Sequence, residues 1–427
     1  MTPSSPLRKQ PEPDAGASGY VGKYPASSDA GSTAPASGST GPAPPAGCRA
    51  GKTALEDLSQ WQLIRRRFAR HRLAAVSLLV LVVVYAIALM AEGVAPYAAM
   101  SKNLDYAYCP PQPPRFSFGG GLHVYAVEPV IDPITFRRMY VEHAEDVVPL
   151  KFFARGEPYK LWGLIPWDRH LLGVDLEHYR PQSVVPTGES ARPIVPTFYL
   201  LGGDKYGRDI FSRIVYGSRI SLSIGVVSIV IMFFLGVTIG GVSGYLGGAV
   251  DNLIQRGIEI LNAFPRLPLW LALAAVFPPD WSPLRVYFAI TIVLSLLGWT
   301  GLARVVRGKL LSLREEDYAV AARLLGAGHS RIIFRHLLPG FTSHIIVALT
   351  MSVPGMILGE TALSFLGLGL RPPIVSWGVM LQDAMNMQTV ANYPWLLAPV
   401  VFIIVTVLCF NFAGDGMRDA ADPYASR

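Results

Sequence analysis

The sequence predicts an all-α polytopic membrane protein with about six transmembrane helices. Hydrophobic residues make up 51% of the 427 residues and charged residues only 16%, which is too apolar and too sparsely charged for an ordinary soluble chain. Several apolar runs reach the ~20 residues with which a helix crosses the hydrocarbon of a bilayer. The net charge of +7 comes from basic residues beside these runs, a pattern typical of membrane topology and anionic lipid.

Two segments precede the first apolar run. Residues 1–53 are rich in Gly, Pro, Ala and Ser, so we expect a disordered cytoplasmic tail that is not a signal peptide. Residues 54–72 carry apolar side chains at helical spacing, which predicts an amphipathic helix at the membrane interface. The alternative is the start of one long helix that continues into the membrane. The arginines at its end are Arg65, Arg66, Arg67, Arg70 and Arg72.

The first transmembrane helix is predicted at 73–95. The arginines before it place the N-terminus in the cytoplasm by the positive-inside rule. Further helices are predicted within the region 220–423, where Pro265, Arg266 and Pro268 interrupt the third. They lie at 220–243, 258–277, 286–306, 342–364 and 395–415. About six spans return the C-terminus to the cytoplasm and predict a multi-pass membrane protein.

Residues 96–219 form a long segment between the first and second predicted spans. With the N-terminus in the cytoplasm, this topology makes it an extracytoplasmic insertion. Its nearly balanced charges do not argue against this, because translocation of so long a segment is not governed by its own charges. Its prolines and its scattered aromatic and aliphatic clusters predict a small, loop-rich subdomain with a few short strands. The alternative is an extended loop that covers the mouth of the helix bundle.

A stripe of glycines marks the second predicted span. Gly236, Gly240, Gly244 and Gly248 recur every four residues, so they share one face of a helix and allow close approach of a second helix. We interpret the stripe as packing within one subunit. A role in gating is the alternative.

Residues 315–339 are a charged segment between two long apolar runs, and the topology places the surrounding loop 307–341 in the cytoplasm. The segment is typical of two short helices joined by a turn at 326–328, with Pro339 ending the second. The small residues Ala319, Ala321 and Ala322 would let another protein approach the backbone closely. We therefore expect this loop to bind a partner.

The spacing in this loop resembles the "EAA" coupling loop of binding-protein-dependent ABC permeases. That pattern is Glu-Ala-Ala, three residues, Gly, nine residues, then a hydrophobic residue, any residue, Leu and Pro. Val320 takes the Glu place and His336 takes the hydrophobic place. The residues that fall on the pattern are Ala321, Ala322, Gly326, Leu338 and Pro339.

The resemblance extends over most of 199–423. Successive stretches are similar, in order, to the C-type subunits of dipeptide and oligopeptide (and nickel) importers. They are LLGGDKYGRDIFSRIVYGSRISLSIG (200–225), GYLGGAVDNLIQRGIEILNAFP (244–265), the region 299–339, GETALSFLGLGLRPPIVSWGVML (359–381) and LCFNFAGDGMRDAADP (408–423). The tail and much of 96–198 lie outside it.

The resemblance implies a type I ABC importer permease fold and a subunit that carries di- or oligopeptides by alternating access. It implies a second homologous permease subunit, two ABC ATPase subunits at the cytoplasmic face and an extracytoplasmic substrate-binding protein, all at the lipid bilayer. The coupling residues that it implies are Ala319, Ala321, Ala322, Arg323, Gly326, Ala327, His336, Leu338 and Pro339.

The sequence also excludes several classes of function. It has no G-x-x-x-x-G-K-[ST] phosphate loop, so we expect no cofactor in this chain, with ATP and Mg bound by the partner ATPase. The sequence contains neither a zinc-protease motif nor a serine-hydrolase motif, so no motif indicates an enzyme. Cys48, Cys109 and Cys409 lack metal-ligand spacing, so no metal site is expected. The basic residues are not interleaved with stacking aromatics, which argues against nucleic-acid binding.

Glu360 lies inside the fifth predicted span, where an ionisable group is costly and faces protein or water. We interpret it as a tie between helices or a residue of the transport pathway; solvation near the outer interface is the alternative. Other functions also stay open. The same machinery would carry nickel or another small solute, or the chain is a membrane-anchored ligand sensor or an enzyme that uses residues 96–219. The last two leave the coupling pattern unexplained.

Overall fold

The computed structural model describes residues 60–117, 121–134, 138–176, 179 and 196–421. All of them belong to one unit, Leu58–Arg427. The predicted tail and the first residues of 54–72 lie outside the described residues. The helices are α1 Gln60–Arg70, α2 Arg72–Leu89, α3 Ala91–Val94, α4 Ile210–Leu246, α5 Gly248–Ala263, α6 Arg266–Ala275, α7 Pro283–Leu313, α8 Asp317–Leu324, α9 His329–Arg331, α10 Thr342–Thr350, α11 Val353–Phe365, α12 Trp377–Met380, α13 Met387–Asn392 and α14 Ala398–Ala421.

Five helical segments of the described chain are long and apolar enough to cross a membrane, and a bent pair would make a sixth. They contain α2, α4, α7, the stretch His329–Phe365 and the stretch Pro394–Ala421. The predicted class, an α-helical polytopic membrane protein, is confirmed. Helix α4 begins ten residues before the predicted span, because the Asp209 carboxylate caps it by accepting hydrogen bonds from the backbone N–H groups of Phe211 (3.3 Å) and Ser212 (2.7 Å).

The bent pair is α5 and α6, whose axes differ by 84°. Proline lacks a backbone N–H and disfavours the helical region for the residue before it, and Phe264 before Pro265 is extended. The predicted continuous helix 258–277 is therefore broken at Pro265, and its first half reaches back to Gly248. The predicted span 342–364 is likewise divided into α10 and α11.

Helices α4 and α7 approach each other closely along the glycine stripe. A Cβ atom on Gly240 would lie 2.5 Å from the carbonyl oxygen of Ala303, and one on Gly244 would lie 2.8 Å from that of Arg307. Neither position has room for a side chain. The interpretation as packing within the subunit is confirmed for both glycines, whereas a Cβ on Gly248 would meet nothing within 4 Å.

The segment between α3 and α4, which we call the insertion (residues 96–209), contains a four-stranded antiparallel sheet. The strands are β1 Arg115–Ser117, β2 Gly121–Ile131, β3 Arg138–Leu161 and β4 Ile165–Val174, in that spatial order. The 24 residues of β3 pair with β2 through the first half and with β4 through the second. The sheet is larger than the expected few short strands. Pro149 and Pro158 look like strand breakers, but Pro158 falls in the register shift between Arg155 and Tyr159, where the ladder needs no donor.

The two ends of the insertion lie side by side. The N–H of Tyr108 donates to the carbonyl oxygen of Asp204 (2.9 Å), and the N–H of Gly203 donates to that of Cys109 (2.8 Å). The N–H of Gln112 donates to the carbonyl oxygen of Tyr199 (2.9 Å). We call these paired segments, 108–112 and 199–204, the stem. It brings the sheet back to the start of α4.

Candidate functional site

The predicted coupling loop contains a well-formed turn at Gly326. Its N–H donates to the carbonyl oxygen of Arg323 (3.0 Å), and the N–H of Ala327 donates to that of Ala322 (3.1 Å). These two bonds are the Schellman pattern that ends many helices. The φ of Gly326 is +79°, a conformation that side chains with a Cβ disfavour. Gly326 therefore sets the direction in which the chain leaves α8.

One face of α8 is turned toward the rest of the chain. Ala319 and Ala322 are buried, and they pack with Ile332 and Leu337 in one hydrophobic cluster. That cluster includes Val237 and Tyr245 of α4 and Leu302, Val306 and Leu310 of α7. Two of the three predicted contact alanines thus hold the loop against its own helices.

The opposite face of α8 is exposed and apolar. Leu324 and Leu325 are 84% and 88% exposed, and Ala321 lies on the same outward side. Tyr318 and Phe334 add two more exposed rings. We call Tyr318, Leu324, Leu325 and Phe334 the loop surface. Sequence reasoning missed it, although the 3.6-residue period separates Ala319 and Ala322 from Ala321, Leu324 and Leu325.

The second half of the loop does not form one regular helix. After α9, residues Ile332–Leu337 are π-helical and Leu338–Phe341 form a 3-10 turn. Pro339 stands at the start of that turn, so it begins a tight connection to α10. Ala327, His336 and Leu338 are half-buried and Pro339 is exposed.

Tyr245, near the end of α4, lies beneath the loop. The guanidinium of Arg323 is 5.9 Å from the centre of its ring, and the His329 ring meets it edge-on at 5.2 Å between centroids. Arg314 donates to its carbonyl oxygen at 3.5 Å. Both halves of the loop therefore contact the same buried ring of α4.

An ion pair joins α5 to α7 in the same region. Arg307 donates from Nε to Oδ1 of Asp251 (2.5 Å) and from Nη2 to Oδ2 (2.6 Å). The hydroxyl of Ser243 in α4 donates to the same Oδ1 (2.5 Å). Fork-to-carboxylate pairs of this kind fix orientation as well as distance. These hydrogen bonds therefore connect α4, α5 and α7 to one another.

Glu360 of α11 is fully buried. Its carboxyl accepts hydrogen bonds from the hydroxyls of Ser221 (3.2 Å), Ser364 (2.8 Å) and Ser376 (2.7 Å). Ser221 also accepts from the backbone N–H of Trp377 at 3.1 Å. The carboxyl thus connects α4, α11 and the start of α12, which is the geometry of a tie between helices.

A second charged cluster lies at the opposite end of α4. Asp204 accepts from Nε of Arg208 (2.7 Å) and from Arg213. The neighbouring Asp209 is buried, and burial raises the pKa of its carboxyl to about 6, although Ser212 and Phe211 donate hydrogen bonds that oppose the change. Across the described ranges, no group of three His, Cys, Asp or Glu side chains is arranged to hold a metal ion.

Comparison with known proteins gives two family matches. Residues 236–427 match the model for the binding-protein-dependent transport system inner membrane component. Residues 59–114 match the model for the N-terminal TM domain of oligopeptide transport permease C. The first match contains the loop surface, the Asp251–Arg307 pair and Glu360, whereas the strands of the insertion lie outside both.

The regions aligned with individual relatives cover most of each relative's length. The dipeptide transport system permease protein DppC of Bacillus subtilis is 40% identical over 250 residues, which are 58% of this chain and 76% of the relative. The oligopeptide transport system permease protein OppC of Haemophilus influenzae is 40% identical over 55% of this chain and 73% of its own. The glutathione transport system permease protein GsiD of Pectobacterium atrosepticum is 38% identical over 60% and 81%.

Among solved structures, an inward-facing form of the MetNI methionine ABC transporter matches half of this chain and 98% of its own, with a TM-score of 0.39 and 19% identity. The resemblance found in the motifs is confirmed by the sequence relatives. At 40% identity over three quarters of a dipeptide permease, the chain belongs to the inner membrane permease components of binding-protein-dependent transport systems.

Proposed function

We propose that this chain is a membrane-spanning subunit of an ATP-driven importer and that it carries di- or oligopeptides across the membrane by alternating access. The relatives named for dipeptide, oligopeptide and glutathione transport support peptides as the substrate class. The observation that carries the mechanism is the loop surface, an exposed apolar patch on a turn that is fixed to the transmembrane helices.

The loop surface fits a protein partner. Single exposed apolar residues are common, but adjacent leucines that are more than four-fifths exposed, beside two exposed rings, are typical of interaction sites. The same loop carries Arg323, Arg331 and Arg335, whose charges would favour a partner with an acidic rim. The partner is an ABC ATPase subunit that binds ATP and Mg, since this chain contains no phosphate loop.

Motion of the ATPase would pass from the loop to the helix bundle through contacts within this chain. Arg323 and His329 contact the ring of Tyr245 in α4. Asp251 and Arg307 then join α5 to α7, and the glycine stripe presses α4 against α7. The loop and the cytoplasmic halves of these helices would therefore move together when the ATPase dimer closes.

The charge pattern supports a cytoplasmic loop and cytoplasmic termini. The loop 307–341 carries six basic residues, whereas the next loop, 365–394, carries Arg371 alone. The six are Arg307, Lys309, Arg314, Arg323, Arg331 and Arg335. By the positive-inside rule the first loop faces the cytoplasm, and the insertion faces the opposite side. A substrate-binding protein would deliver peptide there, and a second, homologous permease subunit with its own ATPase would complete the transporter.

Two glycines of the loop provide a matched test. Gly326 has a positive φ, whereas Gly328 has a φ of −66°, and a Cβ on either would meet nothing within 4 Å. Gly326→Val should strain the turn, reduce co-purification of the ATPase and abolish peptide uptake, with membrane insertion unchanged. Gly328→Val should retain both activities. Normal uptake by the Gly326→Val variant would rule out the loop as the coupling element.

A further inference from the structure

The turn between β3 and β4 presents an unusual apolar tip. Trp162, Leu164, Ile165 and Trp167 are all exposed, and we call them the hairpin tip. Leu164 is 80% exposed. An exposed cluster of two tryptophans and two large aliphatic residues is costly in water, so it marks a surface that something covers.

The depth of the hairpin tip relative to the membrane helices is fixed by a hydrogen bond. Nε1 of Trp162 donates to the carbonyl oxygen of Leu89 at 2.9 Å, and Leu89 is the last residue of α2. Arg219 donates to the same carbonyl at 3.1 Å and forms an ion pair with Glu92 at 2.6 Å. This charged pair marks the polar end of the first span, and the hairpin tip lies at its level.

A second contact orients the hairpin. Nδ1 of the buried His170 lies 2.5 Å from the carbonyl oxygen of Ala95, and its Nε2 lies 3.0 Å from that of Glu157. A Cβ on Gly156 would lie 2.5 Å from the His170 ring. The hairpin is therefore held at two points, Leu89 and Ala95, on either side of α3.

The backbone of the turn is strained at the tryptophan. Trp162 has a φ of +52° and Gly163 a φ of +74°, the pattern of a type I′ turn, in which Asn-Gly is the favoured pair. A bulky residue in this conformation is an outlier. Strain of this kind is retained where the side chain has a role, and here the strained residue is the one that reaches Leu89.

We propose that the hairpin tip is a membrane anchor whose side chains enter the interface between lipid headgroups and acyl chains. The outward side chains of α2, among them Leu79, Val82 and Leu89, are exposed and apolar and face lipid in a membrane. The hairpin tip continues this surface at its polar end. Tryptophan is enriched at that depth because its ring is apolar and its N–H is polar. Lys160, two residues before Trp162, is exposed and would lie at the level of the headgroups.

This anchor would hold the insertion against the bilayer beside α2. The inference does not depend on which side of the membrane the insertion faces, because the hydrogen bond to Leu89 relates the hairpin tip to one end of the span. It also does not depend on the substrate. Its test needs no transport measurement, so its failure and that of the proposed function can be told apart.

The turn that precedes β3 offers a matched control. Ile134 is 86% exposed and lies just before β3, at the end opposite the hairpin tip. Leu164→Cys and Ile134→Cys would each be made in a chain with Cys48→Ser, since Cys109 and Cys409 are buried. Each variant is labelled with bimane in the complete transporter, reconstituted in nanodiscs that contain lipids with a nitroxide at the headgroup or on the upper acyl chain.

Nitroxide lipid should quench bimane severalfold more strongly at the Leu164→Cys position than at the Ile134→Cys position. Aqueous iodide should quench bimane more strongly at the Ile134→Cys position than at the Leu164→Cys position. Iodide quenching at the Leu164→Cys position without lipid quenching would overturn the proposal, because the tip would then lie in water. Protection from both quenchers would also overturn it, because another protein would then cover the tip.

Discussion

Arg307 donates two parallel hydrogen bonds to Asp251, and the same carboxylate accepts from Ser243. The pair joins α7 to α5 near the end of α7, ahead of the predicted coupling segment 315–339. Its side chains are 32% and 10% exposed, so water only partly screens the charges. A geometric fit of this kind cannot be reproduced by lysine, whose ammonium is a single point charge.

We therefore expect Arg307→Lys to lower both the melting temperature of the purified transporter and ATP-driven uptake. A double-mutant cycle with Asp251→Asn on thermal unfolding should give a coupling energy of about 1 kcal/mol or more. Arg256→Lys is the control, since Arg256 pairs with Glu259 on the exposed side of α5, the helix that carries Asp251. Additive effects of Arg307→Lys and Asp251→Asn would contradict this view of the pair.

Gly240→Ala should destabilise the α4–α7 contact. The added methyl group would meet the carbonyl oxygen of Ala303 at 2.5 Å, and overpacking of this kind costs roughly 1–3 kcal/mol. Gly301→Ala on the partner helix α7 is the control, because its Cβ would meet nothing within 4 Å. Thermal unfolding in detergent should show a loss for the first variant and no loss for the second. Equal behaviour of the two would mean that the helices are not closely packed at Gly240.

Glu360→Ala should remove the acceptor of three buried hydroxyls. Each unsatisfied hydroxyl costs roughly 1–3 kcal/mol, so we expect a marked fall in thermal stability and in uptake rate. Glu360→Gln keeps the length and one acceptor oxygen and should be intermediate. The KM for peptide should stay unchanged in the glutamine variant. A changed KM with full stability would instead indicate a residue of the transport pathway.

Asp209→Asn should stabilise the protein at high pH. Because the folded-state pKa of about 6 lies above the ordinary 3.8, the folded state favours the protonated carboxyl. The cost of the carboxylate is absent below pH 3.8 and is fully present once the pH has risen past 6. Asparagine caps the helix equally well, so the gain at pH 8 should be roughly 1–3 kcal/mol and should shrink at pH 5. Melting temperatures at the two pH values test this, and a variant less stable than the wild type at pH 8 would refute it.

The sequence predicted the elements whose signal is local. The turn at Gly326 could be predicted from a glycine between two short apolar patterns, and most spans could be predicted from their length. The helical period of α8 separates Ala319 and Ala322 from Ala321, but the period alone does not say which of the two faces is buried. Only the burial of Ala319 and Ala322 against α4 and α7 shows which face is left for a partner.

The insertion was harder to predict because its order depends on distant pairing. Strand β3 contains prolines and a glycine, and most of its side chains are exposed, so neither alternation nor hydrophobicity marks it. Its structure comes from β2 and β4 on successive halves. The sequence could predict that Glu360 needs polar partners, since a carboxyl inside a span is costly. It could not identify two of the three, because Ser221 and Ser376 lie outside α11.

The stem has a consequence for how such a chain could arise. Because residues 108–112 and 199–204 already pair with each other, the chain leaves the stem for the sheet and returns to the stem at one place. A short link from 112 to 199 would close the same stem without moving α3 or α4. The stem would therefore allow the sheet to be gained or lost as one unit, because both of its chain connections pass through the stem.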